Sequence, residues 1–244
     1  MNSGSAYYDY VKERLRGSDL FRGLSDGLLQ DMLSGFQQST WRKGVSFHSR
    51  DLADRFHIII DGRVELRAID AASGKALTLF ILGPGDGFDV ISLLDGCLDD
   101  NVVRALEDLH LIHAPARSVR GWISDHPAFN RNFLPYAGKQ MRTMQNIAVD
   151  LATADTATRL ARLILRHVTP AALTDGAYPT RLINDLPHEA LARLIGSTRQ
   201  VVNQHLQVLR HKGVIRGATH DIHVAKLERL RKQARGLAQR GVWH

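Results

Sequence analysis

The chain has 244 residues, of which 44% are hydrophobic and 23% are charged, with 12 histidines and one cysteine. This composition is typical of a globular protein with one large or two ordinary domains, and it excludes an intrinsically disordered chain. The lone cysteine excludes an internal disulfide framework and a four-cysteine metal or iron–sulfur site. No apolar run approaches the roughly 18 residues of a membrane helix, and the first residues lack the apolar region of a secretory signal. We therefore expect a cytoplasmic protein with no membrane partner.

The net charge of +7 is distributed unevenly along the chain. Residues 153–244 contain 15 Lys and Arg against 6 Asp and Glu, a net charge of +9, whereas residues 1–152 carry a net charge of −2. Such an asymmetry is typical of a chain whose basic part binds an anionic partner, most often a nucleic acid. On charge alone, a solvated basic surface without a partner is the alternative.

The first half of the chain changes from helical to strand-like patterns. Residues 8–36 have helical periodicity, and residues 40–116 form short strand-like runs separated by turns. Asp61-Gly62, between the runs FHIII and RVELRAI, is typical of a β-hairpin turn. Ser73-Gly74 and the GPGDG of residues 83–87 predict further turns. Strands spaced so closely predict a small closed β-roll or barrel.

A long helix is predicted from residue 127 to residue 152 or 153. Its apolar and small residues alternate in steps of three and four, which is typical of a narrow coiled-coil seam between two chains. Packing of this helix on its own domain is the alternative. The helix divides the chain into residues 1–126, 127–153 and 154–244. The predicted seam consists of Leu134, Ala137, Met141, Met144, Ala148 and Leu151.

Residues 187–212 have the pattern of two short helices joined by a tight turn. Gly196 supplies the turn, and Ser197 or Thr198 is a suitable N-cap for the second helix. That second helix places apolar residues on one face and arginine, glutamine and asparagine on the other. Such polar side chains are suited to hydrogen bonds with base edges in DNA. The following GVIRG, residues 213–217, predicts the first strand and turn of a wing.

Taken in order, these segments resemble the cyclic-AMP receptor protein/fumarate–nitrate reductase regulator (CRP/FNR) family of bacterial transcription factors. The resemblance runs from about Leu20 to Leu230, and it is carried by LFRGLSDGLLQDML, IIIDGRVEL, ILGPGDGF, LLDG, VVRALED and LARLIGSTRQVVNQHLQVLRHKGVI. It implies an α+β fold with an N-terminal cyclic-nucleotide-binding-like β-roll, a long dimerisation helix and a C-terminal winged helix-turn-helix. It also implies a non-enzymatic homodimer that binds two-fold-symmetric double-stranded DNA and contacts RNA polymerase if it is an activator.

The resemblance assigns DNA contacts to residues of the second short helix. Arg199 matches the family's guanine-reading arginine, whereas Gln200 replaces a usual glutamate and Gln204 replaces a frequent arginine. Glutamine and asparagine suit adenine, so we expect a half-site that differs from that of the cyclic-AMP receptor. Thr198 is expected at a phosphate near the helix N-terminus. Asn203 is a further candidate for base contact, and the candidate DNA-backbone contacts are His188, Arg193, Lys212 and Arg216.

The sensor positions of the family are altered in this chain. In nucleotide-binding members a glutamate holds the ribose and an arginine–serine pair holds the phosphate, and the matching positions here are Val90, Asp99 and Asp100. Residues 76–103 contain no Lys or Arg, so a phosphate there would meet repulsion. Asp89 is expected to satisfy the amides of a short helix that would otherwise bind an anion. We therefore predict that this degenerate pocket does not bind cyclic AMP in the family's usual mode.

Other sensors and another function are open alternatives. A single cysteine excludes the family's iron–sulfur mechanism. A redox switch or a heme thiolate at Cys97 is still an open alternative. His48 and His57 are candidates to line the roll as heme or metal ligands, although we predict neither a cofactor nor a metal site. A basic residue from elsewhere, such as Arg67 or Arg142, would restore anion binding. A cupin-like metal enzyme needs converging histidines and a carboxylate, and the close HxH pair of such a site is missing.

Overall fold

The computed structural model describes residues 5–173, 176–217 and 221–236. Within these ranges the chain forms two compact units. The first comprises the residues up to 75 together with 80–143, and the second comprises 76–79 together with the residues from 144 onward. The change from one unit to the other therefore falls inside the long helix from Pro127 to Thr153.

The first unit begins with two short helices, α1 (Ala6–Arg16) and α2 (Asp26–Ser34). A serine caps each of them: the Ser5 hydroxyl accepts a hydrogen bond from the Tyr8 amide at 3.1 Å, and the Ser25 hydroxyl accepts one from the Leu28 amide at 3.4 Å. Such caps stabilise a helix by about 1 kcal/mol each, because they satisfy amides that have no partner within the helix.

Eight strands follow, and they form two four-stranded sheets of a β-roll. The first sheet has the order β1-β8-β3-β6 and the second has the order β2-β7-β4-β5. The strands are β1 (Gln37–Trp41), β2 (Ser46–His48), β3 (Arg55–Asp61), β4 (Val64–Ile69), β5 (Ala76–Leu82), β6 (Gly87–Phe88), β7 (Val102–Ala105) and β8 (Leu109–Pro115).

The turn at Asp61-Gly62 is not a β-hairpin, so that prediction is wrong. Strand β3 pairs with β6 and β8, whereas β4 pairs with β7, so the turn carries the chain from one sheet to the other. Gly62 has a φ of +88°, and a Cβ there would lie 2.7 Å from the Asp108 carbonyl oxygen. Glycine is therefore required here by a close backbone approach and not by pairing of the flanking strands.

Strand β3 contributes to two hydrophobic clusters because its side chains alternate between the two faces of the sheet. Phe56, Ile58 and Ile60 pack with the apolar faces of the helices in one cluster. Ile59 points to the opposite face and packs with Leu111 and other residues inside the roll. The roll is thus filled from within and covered by helices on one side.

Three further helices complete this part of the chain: α3 (Val90–Asp95), α4 (Ala116–Asp125) and α5 (Pro127–Thr153). The first turns of α5 bury Phe129, Phe133 and Tyr136 against the roll. The helix continues through Pro135 and extends over 27 residues. A long helix is therefore present where its periodicity predicted one.

The second unit is a winged helix-turn-helix. Its helices are α6 (Thr156–His167), α7 (His188–Leu194), α8 (Arg199–His211) and α9 (Leu227–Ala234). Its three short strands form a sheet with the order β10-β11-β9, and they are β9 (Tyr178–Pro179), β10 (Ile215–Arg216) and β11 (His223–Val224). The α+β architecture predicted from the sequence is confirmed.

Two histidines, the buried His57 and the half-buried His167, should make the stability of the protein depend on pH. Burial, with the nearby charges of His113 and Arg55, lowers the pKa of His57 to about 3, and burial, with Arg166, lowers the pKa of His167 to about 4. Between the ordinary histidine pKa of about 6.5 and these values, the unfolded chain binds more protons. The folded state is therefore fully favoured above pH 6.5 and loses about 1.4 kcal/mol per pH unit for each histidine as the pH falls.

Denaturant unfolding at pH 7.5 and pH 5.5 measures this effect. His57→Phe keeps a ring stacked against Phe88, whose ring centroid lies 5.0 Å from that of His57. We expect the variant to lose about 1 kcal/mol less stability than the wild type over this interval. His110→Phe, at an exposed position of the neighbouring strand β8, is the control. An equal loss in His57→Phe and wild type would contradict the assignment.

Candidate nucleic-acid interface and sensor pocket

The helix-turn-helix is positioned by buried apolar residues on both of its helices. Leu191 and Leu194 of α7 and Val202, Leu206 and Leu209 of α8 are buried. On α8 these residues recur at i, i+4 and i+7, so that one face of the helix is fixed against the unit and the other is free.

The turn between the two helices is fixed by its backbone. Gly196 has a φ of +58°, which favours glycine at this position. The Thr198 hydroxyl then accepts a hydrogen bond from the Val201 amide at 3.4 Å and begins α8. The first turn of α8 is thereby held at the protein surface.

The free face of α8 presents the polar side chains that the sequence predicts. Arg199, Gln200 and Gln204 are exposed, and Asn203 is half-buried at the edge of the same face. A guanidinium group can donate two hydrogen bonds to guanine, and an amide can donate one and accept one at adenine. The arrangement is chemically able to distinguish base pairs in a major groove.

The candidate DNA-backbone contacts differ in how far the structure exposes them to solvent. Thr198 and Lys212 are exposed at the two ends of α8, and Arg216 is exposed on β10. His188, in contrast, is only 7% exposed at the start of α7. The prediction of a phosphate contact by the His188 side chain is therefore wrong for this structure, because that side chain packs in the interior.

The predicted seam positions on α5 differ in their exposure. Leu134 and Met141 are 58% and 69% exposed, Ala148 is exposed, Met144 is half-buried and Leu151 is 38% exposed. Ala137 is 7% exposed and packs with the roll, so its assignment to the seam is wrong. Ala137 follows Phe133 by one helical turn and therefore shares the face of α5 that packs on the roll. The exposed stripe consists of Leu134, Gly138, Met141, Gln145, Ala148 and Ala152.

A buried ion-pair cluster joins the end of α5 to α6, and the sequence analysis did not detect it. The Asp150 carboxylate is 7% exposed and accepts hydrogen bonds from Arg162 and, at 2.9 Å, from Arg166. Arg162 also donates from Nε to the Ala234 carbonyl oxygen of α9 at 2.8 Å. One carboxylate thus connects three helices of the second unit.

We expect Asp150→Asn to lower the free energy of unfolding by about 1–3 kcal/mol, because two guanidinium groups lose their counter-charge. The two arginine side chains are about 30% exposed, which screens the pair and keeps the loss moderate. Urea unfolding measures it. Glu228→Gln breaks an exposed ion pair with Arg231 and serves as the control, with an expected loss below about 1 kcal/mol. Equal losses in the two variants would contradict a special role for Asp150.

A second set of hydrogen bonds joins α5 to strand β6. The Tyr136 hydroxyl donates to the Gly87 carbonyl oxygen at 2.8 Å and accepts from the Gly87 amide at 2.9 Å. Gln140 donates to the Tyr136 hydroxyl at 2.9 Å and to the same carbonyl oxygen at 3.2 Å. Tyr136 is 3% exposed, so this connection between helix and strand is shielded from water. Sequence patterns gave no sign of it.

The candidate sensor pocket begins two residues after Gly87. Asp89 has a φ of +61° and precedes α3, and its carboxylate accepts a hydrogen bond from the Ser49 hydroxyl at 2.9 Å. It makes no capping hydrogen bond to α3, so the prediction that it satisfies the amides of this helix is wrong. Burial, with a smaller contribution from Asp99, raises the pKa of Asp89 to about 6. The strained backbone turns the carboxylate away from the helix and toward Ser49.

The other predicted pocket positions are Val90, Asp99 and Asp100. Val90 is 3% exposed and packs in the hydrophobic core. Asp99 accepts a hydrogen bond from the Asn101 amide at 3.0 Å, and Asp100 forms an exposed ion pair with Arg50 at 3.0 Å. The carboxylates of Asp89, Asp99 and Asp100 make this region acidic.

The structure also bears on the metal and membrane alternatives. Within the described ranges, no three His, Cys, Asp or Glu side chains converge in a way that could hold a metal ion. Cys97 is exposed. Of the helices in the described part of the chain, none has the length and apolar character needed to cross a membrane.

Comparison with known proteins agrees with this architecture. A cyclic nucleotide-binding domain model matches residues 42–126, and a Crp-like helix-turn-helix domain model matches residues 158–233. The CRP-like cAMP-activated global transcriptional regulator of Mycobacterium tuberculosis is 26% identical over 226 residues, which cover 92% of this chain and 100% of the relative. The cyclic AMP receptor protein of Thermus thermophilus is 28% identical, with the same coverage of both chains.

The fold is also found among solved structures. A CooA mutant from Carboxydothermus hydrogenoformans has a TM-score of 0.68 at 21% identity, over 84% of this chain and 90% of that one. The curated relatives are transcription regulators and not enzymes. The resemblance in the sequence is thus confirmed by two domain models in the expected order, by relatives that match along their whole length and by a shared fold. The chain belongs to the CRP/FNR family of transcription regulators.

Proposed function

We propose that this transcription regulator is a homodimer whose two copies of α8 enter successive major grooves of a two-fold-symmetric DNA site, about 34 Å apart. The observation that carries the proposal is the exposed polar face at the start of α8, formed by Arg199, Gln200 and Gln204. Arg199 reads guanine, and the two glutamines favour adenine, with Asn203 beside them. The half-site therefore differs from that of a relative that has glutamate at the position of Gln200 and arginine at the position of Gln204.

Exposed basic and hydroxyl groups around this face hold the DNA backbone. Thr198, Lys212 and Arg216 are placed to contact phosphates, and such contacts make binding strongly dependent on salt. The net charge of +9 in residues 153–244 supports the same role. If the bound dimer activates transcription, RNA polymerase is its further partner.

The three parts of the chain then have separate roles. Residues 1–126 form the sensor domain, residues 127–153 form the dimerisation helix and residues 154–244 form the DNA-binding domain. The exposed stripe of α5, which includes Leu134, Met141 and Ala148, supplies the dimer contact, because exposed apolar residues at three- and four-residue spacing pack against a second helix.

Selection of bound duplexes from a random DNA library tests this function. We expect a two-fold-symmetric site with guanine and adenine at the positions facing Arg199 and the two glutamines. Affinity for that site should fall steeply between 50 and 200 mM salt. Recovery of no enriched duplex at low salt would overturn the proposal, and recovery of the cyclic-AMP receptor's own half-site would overturn the predicted base preference.

The sensor domain of this chain is proposed not to bind cyclic AMP in the family's usual mode. Two relatives are described as responding to cyclic AMP, but the positions of the ribose and phosphate clamps are Val90, Asp99 and Asp100 here. Calorimetric titration with cyclic AMP should give no saturable heat, because a phosphate brought to these carboxylates is repelled. Tight binding that Asp99→Ala and Asp89→Ala abolish would contradict this expectation.

A further inference from the structure

A cleft of about 490 Å³ opens on the first unit. It lies where β1, β3 and β8 meet the start of α4. Its volume is within the range of small-molecule sites. The polar groups that line it are Gln37, Asp54, Arg55, His113, Arg117 and Arg120.

Three guanidinium groups face one carboxylate in this cleft. The ion pair between Arg55 and Asp54 is 3.6 Å long and more than half exposed, and three arginines against one aspartate leave the lining with a net charge of +2. Arg120 donates from Nη1 to the Leu93 carbonyl oxygen at 2.9 Å, which fixes its position and leaves its other donors available. Arg117 is exposed and makes no hydrogen bond or ion pair with any residue in the described ranges.

His113 forms part of the wall of the cleft. His113 is 7% exposed, and burial, followed by the charge of Arg55, lowers its pKa. Arg55 contributes in the same direction to the lowered pKa of His57, whose ring centroid lies 5.3 Å from that of His113. The imidazole of His113 is thus neutral at pH 7, and the positive charge of the cleft comes from the arginines.

We propose that this cleft binds a small polyanion that carries two or more phosphate or carboxylate groups. Arginine pairs with both kinds of group through two parallel hydrogen bonds, which a lysine cluster would not do. The cleft uses arginines on two different elements, Arg55 on β3 and Arg117 on α4, so that one ligand with two charged groups joins them. This site differs in charge and in residues from the acidic region around Asp89, and it goes beyond the proposed DNA-binding function.

Calorimetric titration of the full chain tests the proposal with two probes, pyrophosphate for phosphates and citrate for carboxylates. We expect saturable binding of at least one probe, and the probe that binds identifies the anionic group. The double variant Arg55→Gln, Arg117→Gln should weaken this binding at least tenfold. Arg131→Gln, which removes an exposed arginine of α5 that does not line the cleft, is the matched control and should leave it unchanged.

Two further measurements separate this site from the DNA-binding helix and from general charge effects. Arg199→Gln should bind the probe as the wild type does, because α8 takes no part in the cleft. In proton NMR, the pKa of His113 should rise when the probe binds, since a nearby anion favours the imidazolium form. Binding of neither probe, equal binding by the double variant, or loss of binding in Arg199→Gln would overturn the proposal.

Discussion

Replacing Met141 by lysine is expected to convert the proposed dimer into a monomer and to weaken binding to a duplex with two half-sites at least a hundredfold. Met141 is 69% exposed in the middle of the α5 stripe. In a two-fold dimer it lies close to its own copy, so the variant would place two desolvated positive charges together. A monomer loses the second, intramolecular binding event, which contributes a factor of about 10²–10⁴ in affinity.

Analytical ultracentrifugation gives the oligomeric state, and a gel shift with a full and a half-site duplex gives the affinity. Asn146→Lys is the matched control, because it adds the same charge at an exposed position on another side of α5. It should leave both the dimer and the affinity near wild-type values. A Met141→Lys protein that is a monomer and still binds the full site as tightly as the wild type would contradict the proposed dimeric mechanism.

Arg199→Ala is expected to remove about 1–3 kcal/mol of base discrimination at each half-site. Because a homodimer carries the change twice, the total is about 2–6 kcal/mol, or roughly 30-fold to 10⁴-fold in preference for the selected site. The exposed position of Arg199 in the first turn of α8 means that the fold should be unaffected. Competition between the selected duplex and one with the facing guanine replaced measures the effect.

Arg199→Lys separates charge from geometry in the same experiment. Lysine keeps the positive charge and therefore the salt-dependent part of binding, but it lacks the planar pair of donors that matches guanine. The lysine variant should retain non-specific affinity and discriminate less well than the wild type. If both variants discriminate as the wild type does, Arg199 does not read the base.

Local patterns predicted most of the fold because they report local geometry. The apolar spacing of Val202, Leu206 and Leu209 predicted the inner face of α8, and Gly196 and Thr198 predicted its beginning. The Asp61-Gly62 pair predicted a turn correctly but not its strand pairing. Pairing depends on residues far away in the chain, here β7 and β8, which a two-residue signal does not contain.

The site residues show the same division between local and distant causes. The exposed face of α8 follows from helical periodicity, whereas the burial of His188 and Ala137 depends on what packs over them. The Asp150 cluster joins residues 12 and 16 positions apart on two helices, and isolated charges in a sequence do not reveal such partners. The cleft brings β1, β3, β8 and α4 together, so its arginines could not be grouped before the sheet was known.

The hydrogen bonds between Tyr136 and Gly87 give the long helix a mechanical coupling to the wall of the roll. One phenol hydroxyl engages both polar groups of the same peptide residue, so strand β6 cannot slide or tilt without pulling on the helix. From Tyr136 the helix runs on to Thr153, about 25 Å at 1.5 Å per residue. Met141 lies five residues after Tyr136 on the same helix, so a displacement of β6 at Gly87 would also move the exposed stripe around Met141. In the proposed dimer, a movement of the roll wall at Gly87 and the geometry of the helix pair are thereby linked through a single tyrosine.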